Sequence, residues 1–294
     1  MRIHSPRPLA LRRRVFLGRD AVDAGLLTRA QLRSNSWRRL LRGVYADSVL
    51  PVDHGLLARG AGLVIPSSAA ITGRSAAWLW GARVAGADDP VDIVTERSFG
   101  PVAKLSIRSG RLPSGEVTNI DGVRLTTPLR SAWDTALRHD LAEAVAVVDG
   151  LLGTGRIDRA RLAAYLDERR GSRGRRTAAR VFELADGRAR SPYESRLRVE
   201  LLLAGLTPPV PQYEIRLGRD FATRVHLAWP EARVAVQYDT SWHADREQLD
   251  ADRRRLNRLL AADWLIHHVS AADLADVQPT ADAIRHLLDR RHRQ

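Results

Sequence analysis

Residues 224–239 read RVHLAWPEARVAVQYD, two alternating apolar runs on either side of the polar corner Pro230-Glu231-Ala232-Arg233. Along a strand successive side chains point to opposite faces. Val225, Leu227 and Trp229 therefore separate from Arg224, His226 and Ala228. On the second run Val234, Val236 and Tyr238 separate from Ala235, Gln237 and Asp239. A four-residue turn sets Trp229 opposite Val234, which places His226 opposite Gln237 and Arg224 opposite Asp239. Directly opposed residues lie about 5 Å apart. Two acidic side chains at 226 and 237 would hold a divalent metal, which activates water and neutralises charge on a scissile phosphate. The chain has an imidazole and a neutral amide at these positions.

These strands need partners. Ser191 can cap a helix with Pro192 at its first position and Glu194 at its third, a strong start signal. Leu197, Leu201 and Leu202 give that helix an apolar stripe. A strand follows over 212–217, then the two runs above, a long helix from Ala244 to Ala262, and a last strand from Trp264 to Val269. The order is helix, three strands, helix, strand. Several polar residues here have two readings. Glu194 is both a candidate ligand and the capping partner of Ser191. Asp239 can pair with Arg224 across the strands. His243, beside Trp242, is either a packed corner residue or an acid–base group. Asp252, between Leu249 and Leu256, reads as structural and tied to an arginine such as Arg255. His267 and His268 alternate, so one faces the core, and neither is assigned a metal.

With 294 residues the chain has room for about two domains. Its net charge of +13 and pI near 11.2 favour a polyanionic partner. Lys104 is the sole lysine, so the basic surface is arginine, which suits bidentate phosphate contacts. Without cysteine there is no disulfide, thiolate metal site or cysteine nucleophile, and a reducing cytosol is compatible. No run approaches the roughly 18 apolar residues of a membrane helix. The most apolar region, Gly55 to Gly86, is interrupted by Arg59, Arg74 and Arg83. The opening MRIHSPRPLALRRRVF lacks an apolar core and a cleavage site and reads as a basic arm, not a signal peptide. A cytoplasmic, nucleoid-associated protein with no membrane partner is expected.

Upstream, the spacing from Arg19 to Leu26 predicts a short helix. Thr28 and Gln31 form a capping box, with Leu27 and Leu32 at the staple positions. Ser36 can cap a second short helix holding Trp37, Leu40 and Leu41, and Val44 to Ala46 reads as a strand. Helix, helix, basic helix and strand hairpin is a winged helix-turn-helix pattern. Arg33, Arg38, Arg39 and Arg42 are its candidate phosphate contacts; the alternative is a helical packing unit with a solvated basic face. Further on, Ser67 to Trp80 predicts a helix, and Val91–Val94 and Leu105–Arg108 predict strands. Val117–Ile120 and Val123–Thr126 flank an Asp121-Gly122 turn. Residues 128–185 read as helical, with the Gly/Arg turn GSRGRR at 171–176 read as a linker. The expected divisions are a basic arm (1–15), a winged helix (16–58), a mixed middle region with a helical linker (59–187) and a last domain (188–294).

Two resemblances sharpen this reading. TRAQLRSNSWRRLLRGVYAD resembles the N-terminal winged helix of the AbiEi-type antitoxins, common in actinobacterial proteins. Ser67–Ala82, Val91–Val94 and Gly122–Asp134 resemble the second part of those proteins. SPYESRLR, VHLAWPEARVAVQYDTSWHADREQL and DRRRLNRLLAADWLIHHV resemble the DUF559 domains, relatives of the very-short-patch-repair endonucleases in the PD-(D/E)XK group. That resemblance implies an acidic residue on the first helix, Asp and Glu on the paired strands, and a nearby His. Glu194, Asp239, His243, Asp252 and Arg255 match, whereas His226, Gln237 and Thr240 stand at the Asp, Glu and Gly positions, and no lysine is available. Mg²⁺ prefers hard, charged oxygen ligands, and imidazole suits Mn²⁺ or Zn²⁺ better. A surviving Mg²⁺ or Mn²⁺ site would use Glu194 and Asp239, with His243, and His226 as ligand or base.

The expected fold class is α+β or α/β: an N-terminal winged helix, a mixed α/β middle, and a restriction-endonuclease-like domain with a mixed sheet flanked by helices. The expected function is a DNA-binding protein whose endonuclease-like domain has a degenerate ligand set, with a regulatory, antitoxin-like or defence role on double-stranded DNA. Two alternatives stand beside it. One is an active metal-dependent endonuclease using Glu194, His226, Asp239 and His243. The other is an antitoxin-like module that binds a protein toxin. Arg224 joins the candidate DNA contacts.

Overall fold

The computed structural model describes residues 7–217, 221–238 and 256–293. Asp239, Thr240, His243, Asp252 and Arg255 lie outside them. The chain is a mixed α+β protein, with three sheets among the described residues. It separates into two compact units, Met1–Arg138 with Thr154–Ala178, and His139–Gly153 with Ala179–Gln294. No helix among the described residues is long and apolar enough to cross a membrane.

The first unit begins with a small antiparallel sheet of β1 (Val15–Leu17), β2 (Trp37–Leu41) and β3 (Val44–Asp47), in the order β1-β3-β2. Helix α1 (Gly18–Asp23) follows β1. The capping box forms as expected: Gln31 Oε1 accepts from the Thr28 amide at 2.7 Å, and Thr28 Oγ1 accepts from the Gln31 amide at 3.2 Å. Leu27 and Leu32 are buried together with Phe16 and Trp37. The box opens only one turn of 3-10 helix, Gln31–Arg33. The helix expected after Ser36 is instead strand β2, a correction with a simple cause. Gly43, at φ +77°, closes a tight turn that lets Leu41 pair with Val44. A shift in pairing between Arg39 and Leu41 then buries Leu40 and Leu41 side by side, so five residues mimic a helical apolar spacing while pairing as a strand.

Helix α2 (His54–Gly62) is capped by Asp53, whose carboxylate accepts from the Leu56 amide at 2.8 Å. It carries one continuous core, with Leu56, Leu57 and Ala61 packed among Leu40 and Val44 of the small sheet and Ile71, Ile93 and Leu125 of the next. A composition boundary at 58/59 therefore crosses a shared core. The second sheet has the order β6-β5-β4-β8-β7. Its strands are β4 (Ala69–Ile71), β5 (Val91–Thr95), β6 (Leu105–Ser109), β7 (Val117–Ile120) and β8 (Val123–Thr126). The β7–β8 hairpin turns on Asp121 and Gly122 at φ +51° and +80°, with Ile120 opposite Val123, as a type I′ turn requires.

The helix expected over Ser67–Trp80 is shorter than its apolar run. Ala69–Ile71 is a strand paired with Ile93–Thr95, and α3 spans only Gly73–Leu79. Gly73 sits at φ +55°, and a Cβ there would fall 2.7 Å from Asp92 Oδ2; that backbone position ends the strand and starts the helix. Helices α4 (Pro128–Ala136) and α6 (Arg159–Glu168) complete this unit.

In the second unit α5 (Leu141–Gly153) packs along α8 (Pro192–Leu203), so part of the presumed middle region belongs with the last domain; α7 (Arg175–Leu184) joins the two stretches of chain. A buried ion pair fixes the α5–α8 packing. Arg198 meets Asp149 at 2.9 Å with both side chains almost fully enclosed, and Arg198 also donates to the Leu184 carbonyl at 2.8 Å. Burial pushes the Asp149 carboxyl above its ordinary pKa, while Arg198 opposes that shift. Removing either partner alone strands a buried charge, at a cost of about 3–5 kcal/mol. The sheet runs β12-β11-β10-β9, with β9 (Val210–Leu217), β10 (Phe221–Trp229), β11 (Val234–Tyr238) and β12 (Leu265–Val269). Residues 256–261 are helical, and α9 spans Gln278–His292. Trp229 pairs with Val234, the register expected from the turn.

His54 gives the first unit a pH dependence. It is wholly buried, with Nε2 2.7 Å from Ser75 Oγ and Nδ1 3.2 Å from the Gly86 carbonyl. Ser75 Oγ already accepts from the Asp92 amide, so its own proton goes to Nε2, and Nδ1–H donates to Gly86. Burial holds the imidazole below its ordinary pKa, with Arg74 acting in the same direction. The unfolded chain takes up this proton near pH 6.5 and the folded chain only at lower pH. Stability from this group is therefore complete above about pH 6.5 and declines as pH falls below it. Urea unfolding across this range should show that decline, and His54→Asn should flatten it; equal slopes in both proteins would refute the assignment. His54→Ala should cost about 2–4 kcal/mol.

Candidate functional site

Glu194 is the third residue of α8, and its position follows from the local sequence. Ser191 Oγ accepts from the Glu194 amide at 3.3 Å, and Pro192 starts the helix where no amide donor is needed. This turns the Glu194 side chain back toward the preceding loop and into the protein, leaving it 5% exposed. Oε2 accepts from the Arg190 amide at 3.1 Å and from Gln212 Nε2 at 2.5 Å. Oε1 accepts from Ser191 Oγ at 3.2 Å and lies 3.6 Å from His226 Nε2. The two expected roles of Glu194 thus merge: it stabilises the helix start and is the centre of a buried polar cluster.

His226 is held from its other side. Its Nδ1 accepts the Tyr238 amide at 2.9 Å. A neutral imidazole has one nitrogen lone pair in its plane. With that pair engaged at Nδ1, the proton sits on Nε2 and points toward Glu194. In this arrangement His226 presents a proton to the carboxylate and has no lone pair left for a metal.

The sheet is irregular at this point. Pairing of β10 with β11 runs from Trp229↔Val234 to Leu227↔Val236. Val234, Val236 and Tyr238 pack with Leu197 and Leu201 of α8, whereas Ala235 packs on the other face with Val225 and Ala228. Alternation therefore puts Gln237 on the Ala235 face, next to His268 in the β11–β12 register. His226 instead reaches α8. The expected facing pair of His226 and Gln237 is not what the strands present: Val225 groups with Ala228 rather than with Leu227, so the alternation of faces changes at His226 while the register with β9 continues unbroken. Its cause is across the sheet. Gln212 lies opposite His226, between the pairs Tyr213↔Val225 and Pro211↔Leu227, and adopts φ +53°. A non-glycine residue in that region is strained, and here the conformation delivers its amide to Glu194. Gln212 was not singled out from the sequence. The run PPVPQYE carries no signal for a left-handed residue, and only the position of Glu194 reveals its role.

Among the described residues no three His, Asp or Glu side chains converge as a metal ion requires. Glu194 already accepts three hydrogen bonds from the protein, His226 has its lone pair engaged and Gln237 is neutral, so this part of the site fits Mg²⁺ poorly. Asp239 and His243 lie outside the described residues. The DNA-contact candidates divide between the units. Arg33, Arg39 and Arg42 are exposed at the 3-10 turn and the β2–β3 hairpin. Arg38 is half-buried and donates to the carbonyls of Leu50 at 3.1 Å and Ser48 at 3.5 Å, so it braces the hairpin. Arg224, in the second unit, pairs with Glu214 across β9 and β10 at 3.4 Å.

Two relatives, uncharacterized proteins from two strains of Mycobacterium tuberculosis, are each 31% identical to this chain over 156 residues. The match covers 53% of this chain and 58% of each relative, so it spans little more than half of their length. No protein-family model and no solved structure matches the chain.

Glu194→Ala removes the acceptor of three hydrogen bonds, from Arg190, Ser191 and Gln212, and the carboxylate beside His226. It should destabilise the second unit by about 2–4 kcal/mol, measured by denaturant unfolding. Since a metal that binds only the folded state raises its melting temperature, millimolar Mg²⁺ or Mn²⁺ should leave the wild-type midpoint unmoved. A rise with Mn²⁺ that disappears in Glu194→Gln would show that the carboxylate is a ligand after all.

Proposed function

We propose that this chain is a DNA-binding protein whose C-terminal domain keeps a restriction-endonuclease-like layout while its metal-ligand set has degenerated, and that it acts in regulation, antitoxin-like control or defence. The observation that carries this reading is the closed cluster at Glu194. The carboxylate that a nuclease would direct at a metal is instead consumed by Arg190, Ser191, Gln212 and His226. What remains is charge. The protein carries +13, and a surface of that sign attracts the phosphate backbone irrespective of sequence.

Within the first unit the order strand, short helix, 3-10 turn and two-stranded hairpin supports a winged-helix reading with the hairpin as the wing. Arg33, Arg39 and Arg42 are its solvent-facing cations. A single 3-10 turn in place of a full recognition helix leaves few side chains able to reach base edges, so phosphate contacts dominate affinity and sequence preference is weak.

Fluorescence anisotropy with a short duplex tests this. Binding should weaken steeply as salt rises, and each of Arg33→Gln, Arg39→Gln and Arg42→Gln should lower the log–log salt slope by about one unit. Arg38→Gln should act through stability instead. Supercoiled plasmid should stay intact with Mg²⁺ or Mn²⁺. Nicking that is abolished by Glu194→Ala would replace this reading with that of an active nuclease. Salt-independent or undetectable DNA affinity would remove nucleic acid as the partner.

A further inference from the structure

The first unit contains a groove that the DNA-binding reading does not use. It encloses about 660 Å³, within the range of small-molecule sites, roughly 300–1,000 Å³. Leu56, Leu63, Val123 and Trp78 give it an apolar and aromatic lining. Arg13, Arg14, Arg59 and Arg83 line the same groove. The four arginines outnumber the two carboxylates that share the groove, Asp53 and Asp121, and the excess positive charge attracts an anion. Among the described residues the side chains of Arg13, Arg14 and Arg59 form no ion pair.

Two features show that the groove is a built site. Arg13 adopts φ +54°, a strained conformation for a side chain of its size. It is held there by Asp47, wholly buried, whose Oδ2 accepts the Arg13 amide at 2.7 Å. This bond fixes where the Arg13–Arg14 pair leaves the backbone. Trp78 is seated as firmly. Its ring lies against Gly55 of α2 so closely that a side-chain carbon at 55 would overlap it. Arg83 stands over the same ring, 5.6 Å from its centre, a cation–π arrangement.

Each component restricts the ligand. The arginines call for phosphate or another polyvalent anion. The tryptophan and apolar lining call for a planar ring with a hydrophobic face. Acidic acceptors inside a cationic groove disfavour a bare polyanion or a continuous phosphate backbone and suit ribose hydroxyls or ring amines. Phosphate, planar base and hydroxyl-bearing sugar occur together in one ligand class. We propose that the groove is a binding site for a free nucleotide, its phosphates toward Arg13, Arg14 and Arg59 and its base against the apolar side formed by Leu63, Val123 and Trp78. Its lining includes none of Arg33, Arg39 and Arg42.

Equilibrium dialysis of the full chain, freed of nucleic acid, tests this with ADP, adenosine, pyrophosphate and a short duplex as separate probes. ADP should bind saturably at one site, and adenosine and pyrophosphate each at least about tenfold more weakly, since each supplies half of the contacts. The double variant Arg14→Gln/Arg59→Gln changes two exposed side chains; it should melt like the wild type and lose about tenfold or more in ADP affinity while binding the duplex as before. Trp78→Leu should weaken ADP but not pyrophosphate. The proposal fails if ADP does not saturate in the millimolar range, or if the double variant binds it as the wild type does. It fails equally if pyrophosphate binds as tightly as ADP, which marks a simple anion site. Loss of duplex affinity in the double variant without any ADP binding would assign the groove to the DNA surface instead.

Discussion

A carboxylate taken out of water has to be met by donors, and in the second unit they come from the preceding loop and from two strands. Glu194 draws in the loop before α8 through Arg190 and Ser191, strand β9 through Gln212 and strand β10 through His226. Leaving such a group unanswered costs several kcal/mol, and that is enough to hold one residue of β9 in a left-handed conformation and to break the alternation of β10. The left-handed Gln212 and the change of face at His226 thus both meet at one buried charge. Further along the same helix Arg198 is enclosed with Asp149, so α8 is tied to its surroundings by an acid at its start and a base at its centre. Its apolar face, with Leu197 and Leu201 fully buried, supplies the bulk of the packing energy, and the two charged groups fix its orientation.

The first unit relies on a comparable polar network. Asp134 accepts from Thr72 Oγ1 at 2.6 Å and from Arg130 Nε at 2.9 Å. Arg130 also pairs with Glu116, which in turn accepts from the Tyr165 hydroxyl at 2.8 Å and pairs with Arg169. Thr127 caps α4, and Ser131 Oγ sits 2.8 Å from Thr126 Oγ1. The polar residues of the stretch Thr126–Asp134, which supports the resemblance to antitoxin proteins, are thus engaged with one another and with the sheet edge. They join the β7–β8 hairpin to α4 and α6. Their clustering in the sequence serves the scaffold.

Signals confined to a few residues were legible in the sequence. The Thr28–Gln31 box, the Asp121-Gly122 turn, the Ser191-Pro192-Glu194 helix start and the Trp229↔Val234 register all depend on backbone chemistry that neighbours alone determine. The misread segments depend on distant partners. Trp37–Leu41 is too short for its period to separate helix from strand, and pairing with β3 decides it. Ala69–Ile71 has helix-forming alanines but fills the centre of a sheet between β5 and β8, where small side chains suit the close packing of α2 and α3 above. Helix α5 follows α4 in the chain yet packs on α8, through an ion pair between residues 49 positions apart. At the candidate site the failure was of the same kind. Strand alternation predicts His226 opposite Gln237, and the change of face that separates them originates at Gln212 on a third strand.

The state of His226 links this site to the rest of the sheet. Its Nδ1 substitutes for a strand carbonyl by accepting the Tyr238 amide, at the point where the β10–β11 ladder stops. Tyr238 is fixed in turn by stacking on Tyr193 of α8, ring centres 5.4 Å apart. Adding a proton to Nδ1 would strengthen the attraction of the ring for Glu194 but abolish the bond that holds the end of β11. Losing the proton at Nε2 would place two sets of lone pairs, one of them charged, 3.6 Å apart in a buried space. Binding a metal at Nε2 demands that second change. The neutral ring with its proton on Nε2 satisfies both the Tyr238 amide and the Glu194 carboxylate, and it makes the imidazole a connector between helix and sheet. A nuclease needs the opposite at this position, a group whose charge and lone pairs are directed at the metal and not at its own scaffold.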